Sequence, residues 1–529
     1  MLLWRLVYFA VAVCYSLLKP SHSQDVSLDK VLQLTRLREM LSEPIAAKGE
    51  AFPNITGPKS FDSKIAILGA EPAGIHMAYK LKKLGYTNVV VLEPEDRIGG
   101  DSLTVYHRGV RHELGVGHFR VENTDILSII QDFRMGPVQP IGDVSVWPDS
   151  DHAEDLLPYL LFDANQRSND SNPLTALNLL SEAVMTYVRI HRQIFGDYDG
   201  LLMPRPLTPE MQMVNGTIED FLKRNDLSML ETPFRVLYTA QGYGDIDKRA
   251  ALYGLMYVTP KRLLRLIESF IDLSNRGDTY ILERGFSALW AEIVNKANLD
   301  VRVNRNISYI IRTPGKINVF YDGTAEAETM EVYDFLIVAR DMSKVLGIVD
   351  TSWIERGIFS HLTPSFMTSS LIDTNFGRRA PMPRAYYMYN IKSRANHSVL
   401  YHEDSYSILH NIQGTNYSRG LIPGGYDGEM YQSIVVRQYG DSFPSEDDIK
   451  SGFLNHANLY GITHGLVLAR KTWNYFSKFG PAEMAAGLLW DIFTLQGHKN
   501  TWYIGSSVCF DSLNNVIDYN NLILQHFNL

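Results

Sequence analysis

The chain has 529 residues, 45% of them hydrophobic, and its 59 acidic residues outnumber its 50 Lys and Arg residues to give a formal net charge of −9. This acidic balance argues against nucleic acid and anionic membrane surfaces as partners. The length is sufficient for two or three domains or for one large two-domain enzyme.

The N-terminal residues predict a secretory signal over residues 1–23. Arg5 supplies the positive start, LVYFAVAVCYSLL is an apolar core too short to cross a bilayer, and Ser21 and Ser23 suit cleavage before Gln24. No later segment reaches about 18 uninterrupted apolar residues, so we expect no membrane-spanning helix. The expected location is secreted or lumenal.

A protein on that route can carry glycans and disulfides. Cys14 leaves with the signal, so Cys509 has no internal disulfide partner, and a buried small hydrophobe is favoured there over a nucleophile. Each N-x-S/T sequon predicts a glycosylated asparagine at the surface. The sequons are at Asn54, Asn169, Asn215, Asn306, Asn396 and Asn416.

Residues 24–61 predict a polar lead-in, after which the pattern becomes that of a β-α-β unit. An apolar strand meets the turn Gly69-Ala70-Glu71-Pro72-Ala73-Gly74, a helix with apolar residues at helical spacing follows, and a second strand ends at Glu93. This order is typical of dinucleotide-binding units, in which the pyrophosphate faces the helix N-terminus and an acidic residue binds ribose. Glu71 replaces the middle glycine of the usual G-x-G-x-x-G pattern.

The rest of the chain alternates helical and strand-rich stretches. Residues 150–275 predict helices, and a helix opened by Gly285 is followed by the predicted strands VRVNRNISYIIR, INVFYDG and YDFLIVAR. Residues 346–494 mix helices with strands such as YYMYNIK and SIVVRQYG. The C-terminal segment NTWYIGSSVCFDSLNNVIDYNNLIL predicts strand, turn and helix.

Three separated blocks of this pattern resemble the flavin-containing amine oxidase-type oxidoreductases, a superfamily that also holds protoporphyrinogen oxidase and the phytoene desaturases. The first block joins the glycine turn and Glu93 to Asp96-Arg97-Ile98-Gly99-Gly100, similar to an E-x-x-x-R-x-G-G motif, and to His112-Glu113-Leu114-Gly115. The second runs from ERGFSALWAEIV to YDFLIVAR, and the third is TWYIGSSVCFDSLNNVIDYNN.

The resemblance implies an α/β fold in which a discontinuous Rossmann-like FAD-binding domain is joined to an α+β substrate lobe. The expected divisions are the signal at 1–23, the lead-in at 24–61, the FAD-binding domain at 62–149, 276–345 and 495–529, a helical substrate lobe at 150–275 and its second part at 346–494. FAD is the implied cofactor. The implied cofactor-binding residues are Gly69, Ala70, Glu71, Ala73, Gly74, Glu93, Arg97, Gly99, Gly100, Gly115, Ile307 and Gly505.

Two residues depart from the family pattern. Glu71 stands where the family usually has glycine, and Asp101 stands where it often has a basic residue. Both place a carboxylate where the diphosphate should lie, and one like-charge pair at about 4 Å costs on the order of 4 kcal/mol at an effective dielectric of about 20. We therefore expect weakened FAD binding.

Two function classes remain open on this sequence. One is a secreted FAD-dependent oxidoreductase that takes a hydride from an amine or a similar small molecule. The other is a secreted glycoprotein that keeps the fold with a degenerate flavin site and serves a matrix or binding role. The intact blocks favour the enzyme, whereas Glu71 and Asp101 favour the second class.

No motif singles out a catalytic residue or a metal site. His112, His118 and His464 fit structural histidines better than bases, and no cluster of His, Cys or carboxylates has metal-ligand spacing. Many family members keep a lysine beside the flavin. The available lysines are Lys344, Lys392, Lys471 and Lys478.

The chain is rich in tyrosine, with 29 residues. Tyr386, Tyr387 and Tyr389 are expected in one strand, and packing in the core is favoured over an aromatic wall beside the flavin. Tyr243-Gly244 is the best candidate for a contact to the expected small-molecule substrate.

Overall fold

The computed structural model describes residues 34–45, 48, 55–58, 60–107, 110–120, 124–136, 138–140, 144–168, 173–198, 203–268, 279–322, 329–374, 384–393, 399–404 and 431–526. The predicted signal at 1–23 lies outside these ranges, as do the sequons at Asn54, Asn169, Asn396 and Asn416. Asn215 and Asn306 are both exposed.

A five-stranded parallel sheet forms the centre of one lobe. In spatial order its strands are Asp300–Arg302, Asn88–Leu92, Lys64–Leu68, Phe335–Val338 and Thr501–Tyr503. The central strand pairs in register on both sides, with Ile65 opposite Val89 and Phe335. The strands Phe335–Val338 and Thr501–Tyr503 are buried throughout and Lys64–Leu68 is buried after its first residue, as is typical of the interior of a parallel sheet, whereas the edge strand Asp300–Arg302 is not buried. The α/β class predicted from the sequence is confirmed by this sheet and its helices.

Helices cover the parallel sheet and carry its connections. Pro72–Lys83 follows the central strand and packs against Phe286–Lys296 and Leu513–Gln525. Smaller sheets lie around this unit. They are the antiparallel sheet Ile307–Thr313, Lys316–Tyr321 and Thr329–Tyr333, the hairpin Thr104–His107 and Val110–Glu113, and the sheet Phe119–Arg120, Thr279–Leu282 and Val138–Pro140.

A seven-stranded mixed sheet forms the second lobe. Its strands in spatial order are His464–Asn474, Phe366–Thr374, Tyr431–Tyr439, Val399–Asp404, Arg384–Tyr387, Val144–Trp147 and Glu154–Asp155. This sheet is contacted by the helices Leu156–Ser168, Met388–Ser393 and Glu446–Leu459. Further helices from the middle of the chain are Pro173–Phe195, Thr208–Val214, Ile218–Arg224, Glu231–Leu237, Ala251–Tyr257 and Pro260–Glu268.

The predicted strand YYMYNIK is wrong in its second half. The strand ends at Tyr387 and a helix begins at Met388, so that Tyr389 lies on a helix and is exposed. The neighbouring parallel strand ends opposite Tyr387, at Trp147, and Pro148 follows it. Proline has no N–H to donate to a hydrogen bond between strands, so the strand pairing stops there.

The remaining helices flank the two lobes. They are Leu34–Ser42, Thr124–Asp132, Met342–Val345, Trp353–Phe359, Pro481–Ala486 and Leu488–Thr494. One apolar core of buried residues runs through the parallel sheet and into the middle helices. Among the helices of the described ranges, none is both long and apolar enough to cross a membrane.

Candidate functional site

The glycine turn joins the central strand of the parallel sheet to the helix Pro72–Lys83. Gly69 has a φ of +104°, a conformation that side chains disfavour, and its N–H donates to the carbonyl of Leu92 at 2.9 Å. A Cβ on Gly74 would overlap the carbonyl oxygen of Gly69, so glycine lets the helix approach the strand. Glu71 is the N-cap and makes no side-chain capping bond, which leaves N–H groups of the first turn directed out of the helix.

Glu93 lies at the end of the next strand, beside this turn. Its buried carboxylate accepts hydrogen bonds from the N–H of Ala70 at 2.7 Å and from the N–H of Glu95 at 2.9 Å. The N–H of Arg305 donates to the Glu93 carbonyl at 2.8 Å, which brings the chain leading to Ile307 to the same edge. Because each carboxylate oxygen has a second lone pair, Glu93 can still accept from ribose hydroxyls.

The loop Arg97–Ser102 closes over the turn. Gly99 and Gly100 have φ values of +97° and +50°, and the Gly99 N–H donates to the Ala70 carbonyl at 2.7 Å. The Arg97 guanidinium donates to the carbonyls of Gly100 and Ser102, so its role in this structure is to hold the loop. A Cβ on Gly100 would overlap the Glu71 side chain, which lies directly against this glycine.

Gly115 fixes the hairpin of the first lobe to this loop. A Cβ there would overlap the carbonyl oxygen of Asp101, and the N–H of Val116 donates to that same oxygen at 2.8 Å. The indole of Trp473, from the second lobe, donates to the Leu114 carbonyl at 2.6 Å. The site is therefore built where the two lobes meet.

Gly505 brings the C-terminal segment to the same place. It has a φ of +96°, and a Cβ there would lie 3.1 Å from the Ala339 carbonyl oxygen and 3.7 Å from the Ala73 Cβ. Asn520, on the following helix, donates to the Ala73 carbonyl at 2.8 Å. The structure thus brings the glycine turn, Glu93, the Arg97–Ser102 loop, Gly115 and Gly505 together at the carboxyl edge of the parallel sheet. We call this region the cofactor edge.

Several carboxyl groups converge at this edge. Burial, reinforced by the negative charge of Asp101, raises the pKa of Glu71 to about 8. Burial also raises the pKa of Asp101 to about 6, and burial together with Asp101 and Glu71 holds the pKa of Asp511 well above its usual range. Within the described part of the chain, the buried Oδ2 atom of Asp511 has no hydrogen-bond partner. Near neutral pH, Glu71 is therefore mostly protonated, whereas Asp101 is mostly ionised.

Two cations beside these carboxyl groups were not predicted from the sequence as cofactor residues. Arg340 and Lys344 both act on Glu71 electrostatically, and Arg340 packs so closely on the turn that a Cβ on Gly69 would overlap its Cγ. The Arg340 Nε is buried and has no partner among the described residues. Both residues follow the strand Phe335–Val338, whose carboxyl end meets the turn, so the parallel-sheet rule was a usable signal.

The other candidate lysines lie elsewhere. Lys392 pairs with Asp163 at 2.6 Å, and Lys471 lies on a strand of the second lobe beside the ring of Trp473. Lys478 is buried under Ser365 and Pro364. Of the candidate lysines, Lys344 has a charge that acts on Glu71 at the cofactor edge.

The candidate histidines and the cysteine take separate positions. His112 is buried in the hairpin and His464 is exposed at a strand end. Cys509 is buried, and burial raises the pKa of its thiol, which disfavours the nucleophilic thiolate. Among the described residues, no group of three or more His, Cys, Asp or Glu could hold a metal ion.

Tyr243 lies in a buried aromatic cluster next to the C-terminal segment. Its ring stacks on Tyr475 with centroids 5.5 Å apart and meets Phe510 edge-on at 4.8 Å. Tyr257 stacks on Phe510 at 4.9 Å. Phe510 directly precedes Asp511, whose carboxyl group lies near Asp101 and Glu71, so this cluster, called the aromatic wall below, adjoins the cofactor edge.

The basic cluster, defined as Arg120, Arg262 and Arg384, lies close enough to His118 to act on it electrostatically. The Arg262 guanidinium lies 3.6 Å from the centroid of Tyr257, and that of Arg120 lies 5.8 Å from it. Burial and the three nearby arginines lower the pKa of His118 to about 3, so it is neutral at physiological pH. These arginines come from distant parts of the chain, and no sequence motif connects them.

The chain is similar to a known protein family and to a known isomerase. Residues 72–352 match the family described as flavin containing amine oxidoreductase. The chain is 22% identical over 501 residues to a polyenoic fatty acid isomerase of Ptilota filicina, an alignment that covers 88% of this chain and 95% of that protein.

Solved structures share the fold. A CLA-producing fatty acid isomerase from P. acnes is similar with a TM-score of 0.71 and 19% identity over 89% of this chain and 100% of that one. A wild-type putrescine oxidase bound to putrescine is similar with a TM-score of 0.60 and 14% identity over 88% of this chain and 98% of that one.

Proposed function

The chain belongs to the flavin-containing amine oxidoreductase family, and from that premise we propose that it is an FAD-dependent isomerase that moves a double bond within an unsaturated carboxylic acid. Membership bears out the resemblance predicted from the three sequence blocks, and it makes FAD the cofactor of this chain. The predicted amine substrate is the competing assignment.

The cofactor edge fits FAD. Glu93 is placed to accept from ribose hydroxyls, and the glycines of the turn and loop let the strand, the helix and the loop pack closely around the helix N-terminus. The unpartnered Nε of Arg340, with Lys344 nearby, supplies positive charge for a diphosphate. Protonated Glu71 can donate a hydrogen bond to a phosphate oxygen, whereas an ionised one would repel it.

The basic cluster carries the substrate assignment. Three arginines around one neutral histidine attract a carboxylate and repel the ammonium group of an amine. The cluster adjoins Tyr257, which stacks on Phe510 beside the cofactor edge. A substrate with a carboxylate head and an apolar chain fits this combination of charge and aromatic wall. The names and near full-length coverage of the two fatty acid isomerase relatives support the same class.

The residues of the chain bind and orient such a substrate. Bound FAD supplies reversible two-electron chemistry at this edge. Double-bond migration breaks one C–H bond of the substrate, forms another and shifts the π bonds, so that product and substrate have the same composition and no external oxidant is consumed. The arginines hold the carboxylate, and the rings of Tyr243, Tyr475 and Phe510 keep water from the apolar chain.

The test uses the flavin-loaded protein without oxygen, with linoleic acid and putrescine as separate probes. We expect the ultraviolet absorbance of a conjugated diene to grow with linoleic acid, and no hydrogen peroxide from putrescine when oxygen is admitted. Peroxide release from the amine, with no diene from the fatty acid, would overturn the proposal in favour of amine oxidation. A protein that stays colourless in excess FAD would contradict both enzyme assignments, the isomerase and the amine oxidase.

Arg384→Gln tests the basic cluster directly. Loss of one charge-assisted hydrogen bond should raise KM for linoleic acid by roughly 10- to 100-fold, about 1.5–3 kcal/mol, with a smaller change in kcat. Arg302→Gln is the matched control, because Arg302 pairs with Asp300 and Glu331 on the rim of the parallel sheet. Equal effects of the two substitutions would show that the cluster does not bind substrate.

We also propose that the protein enters the secretory pathway and is glycosylated. The signal pattern of residues 1–23 supports this, and the sequons at Asn215 and Asn306 are on exposed positions. Enzymatic removal of N-glycans from protein made in a secreting host should increase its electrophoretic mobility. An unchanged mobility of secreted protein, or its retention in the cytosol, would contradict this assignment.

A further inference from the structure

A cavity of about 570 Å³ lies in the second lobe, away from the cofactor edge. Its lining includes the cations Arg249 and Lys478 and the carboxyl groups of Asp245, Asp247 and Glu483. This volume is within the range of small-molecule sites, and charged groups of both signs face it. We propose that the cavity binds a small organic anion that also carries hydroxyl or amino groups.

Two buried cations form the anion-binding wall. The side chains of Lys478 and Arg249 are only 2% and 9% exposed. Lys478 donates to the carbonyl of Pro364 at 3.0 Å and to the hydroxyl of Ser365, and Arg249 donates to the same hydroxyl at 2.9 Å. These partners are neutral, so they satisfy hydrogen bonds without balancing the two charges.

One carboxylate faces both cations, and it balances them incompletely. Asp441 lies 3.1 Å from the Lys478 nitrogen and 3.7 Å from the Arg249 nitrogen, but its side chain is 58% exposed. Burial, together with the positive charge of Arg249, lowers the pKa of Lys478 to about 7. A second anion in the cavity would therefore stabilise the charged lysine, and it would do so on the side that Asp441 does not fill.

The carboxyl groups of the lining determine the rest of the ligand. Burial and the charge of Asp247 raise the pKa of Asp245, although Lys248, Arg235 and Arg249 oppose this rise, so the carboxyl groups of Asp245 and Asp247 lie close enough to repel each other. Glu483 faces the same cavity. These oxygens accept hydrogen bonds, so a ligand that donates from a hydroxyl or an amino group relieves the repulsion, whereas a plain dicarboxylate does not.

The cavity is separate from the substrate contacts proposed above. Arg249 donates from its Nε to the Tyr243 carbonyl at 3.0 Å, and a Cβ on Gly244 would overlap its guanidinium. Arg249 therefore stands between the cavity and the backbone of the aromatic wall. The ring of Tyr243 faces Tyr475 and Phe510 and is not part of the lining.

The experiment is isothermal titration of the flavin-loaded full chain with malate, with succinate as the matched probe that lacks the hydroxyl, at constant ionic strength. We expect saturable binding of malate and a Kd for succinate about tenfold higher. Asp441→Asn removes the competing internal anion and should lower the Kd for malate about tenfold. Lys478→Met should raise it by more than about tenfold.

Lys248→Gln is the control, since Lys248 lines the same cavity from an exposed position and also carries one positive charge. It should change the Kd less than about threefold. The absence of saturable binding to both the unmodified chain and Asp441→Asn would overturn the proposal. So would equal effects of Lys478→Met and Lys248→Gln. If Lys478→Met does not fold, the Asp441→Asn variant still tests the proposal.

Discussion

At the scale of single residues, Glu71 shows that burial decides the charge of a side chain. In sequence it is a carboxylate at the position of the diphosphate, but in the fold it lies against Gly100, close to Asp101. Burial and Asp101 raise the pKa of Glu71 to about 8, so the neutral acid dominates at physiological pH. The repulsion expected from the sequence is thereby reduced, and Arg340 and Lys344 oppose what remains.

This gives a prediction about pH. Glu71 is protonated below its raised pKa, and ionisation above pH 8 places a negative charge beside the diphosphate. In the range above pH 8, FAD affinity should therefore fall by up to about tenfold per pH unit. Fluorescence titration of the flavin-free protein across this range measures the effect.

Glu71→Gln is the matched control for that prediction. It keeps the size and the hydrogen-bond donor of the protonated acid but cannot ionise. Its FAD affinity should be flat above pH 8. The same decline in both proteins would show that another group controls the pH dependence.

At the scale of elements, the contact between the central strand and the helix Pro72–Lys83 depends on Gly74. Alanine in place of Gly74 should push the helix from the strand, because the added Cβ overlaps the carbonyl oxygen of Gly69. We expect a loss of about 3 kcal/mol in the free energy of unfolding and a weaker FAD site. Denaturant unfolding with flavin fluorescence measures both quantities.

Gly357→Ala provides the comparison. Gly357 also lies in a helix, Trp353–Phe359, but a Cβ there has no neighbour within 4 Å. Alanine should stabilise that helix by roughly 0.5–1 kcal/mol, since it costs less backbone entropy than glycine. Equal destabilisation by the two substitutions would mean that packing against Gly69 is not the cause.

At the scale of the whole molecule, the cofactor edge is assembled from chain segments that are far apart. The glycine turn, the strand Phe335–Val338 and the segment at Gly505 meet only after the five-stranded sheet has formed. FAD therefore binds the folded chain and not the unfolded one, and it should stabilise the fold by mass action.

We expect the free energy of unfolding to rise by about 2.7 kcal/mol when free FAD reaches 100 times its Kd, with a corresponding rise in Tm. Thermal unfolding of flavin-free protein at increasing FAD measures this. Riboflavin, which lacks the diphosphate and the adenosine, should give a much smaller shift. A Tm that does not respond to FAD would contradict the assembled site.

The sequence by itself determined the family, the α/β class and the order of the cofactor blocks, because glycine spacing and apolar strand patterns are local and leave a direct trace in the chain. It also placed Tyr243 among the candidates, although not its stacking on Tyr475. Tyr389 was misplaced because the end of its strand depends on a neighbouring strand, which local pattern does not record.

Only the tertiary structure determined which charged groups lie near the candidate site and whether they are protonated. The protonation of Glu71, the packing of Arg340 on the glycine turn and the basic cluster of Arg120, Arg262 and Arg384 all depend on which distant side chains become neighbours. Burial and Coulomb interactions act through space, so residues hundreds of positions apart determine them together. For this reason the family resemblance in the sequence indicated an amine substrate, whereas the carboxylate substrate that we propose rests on neighbours that only the fold brings together.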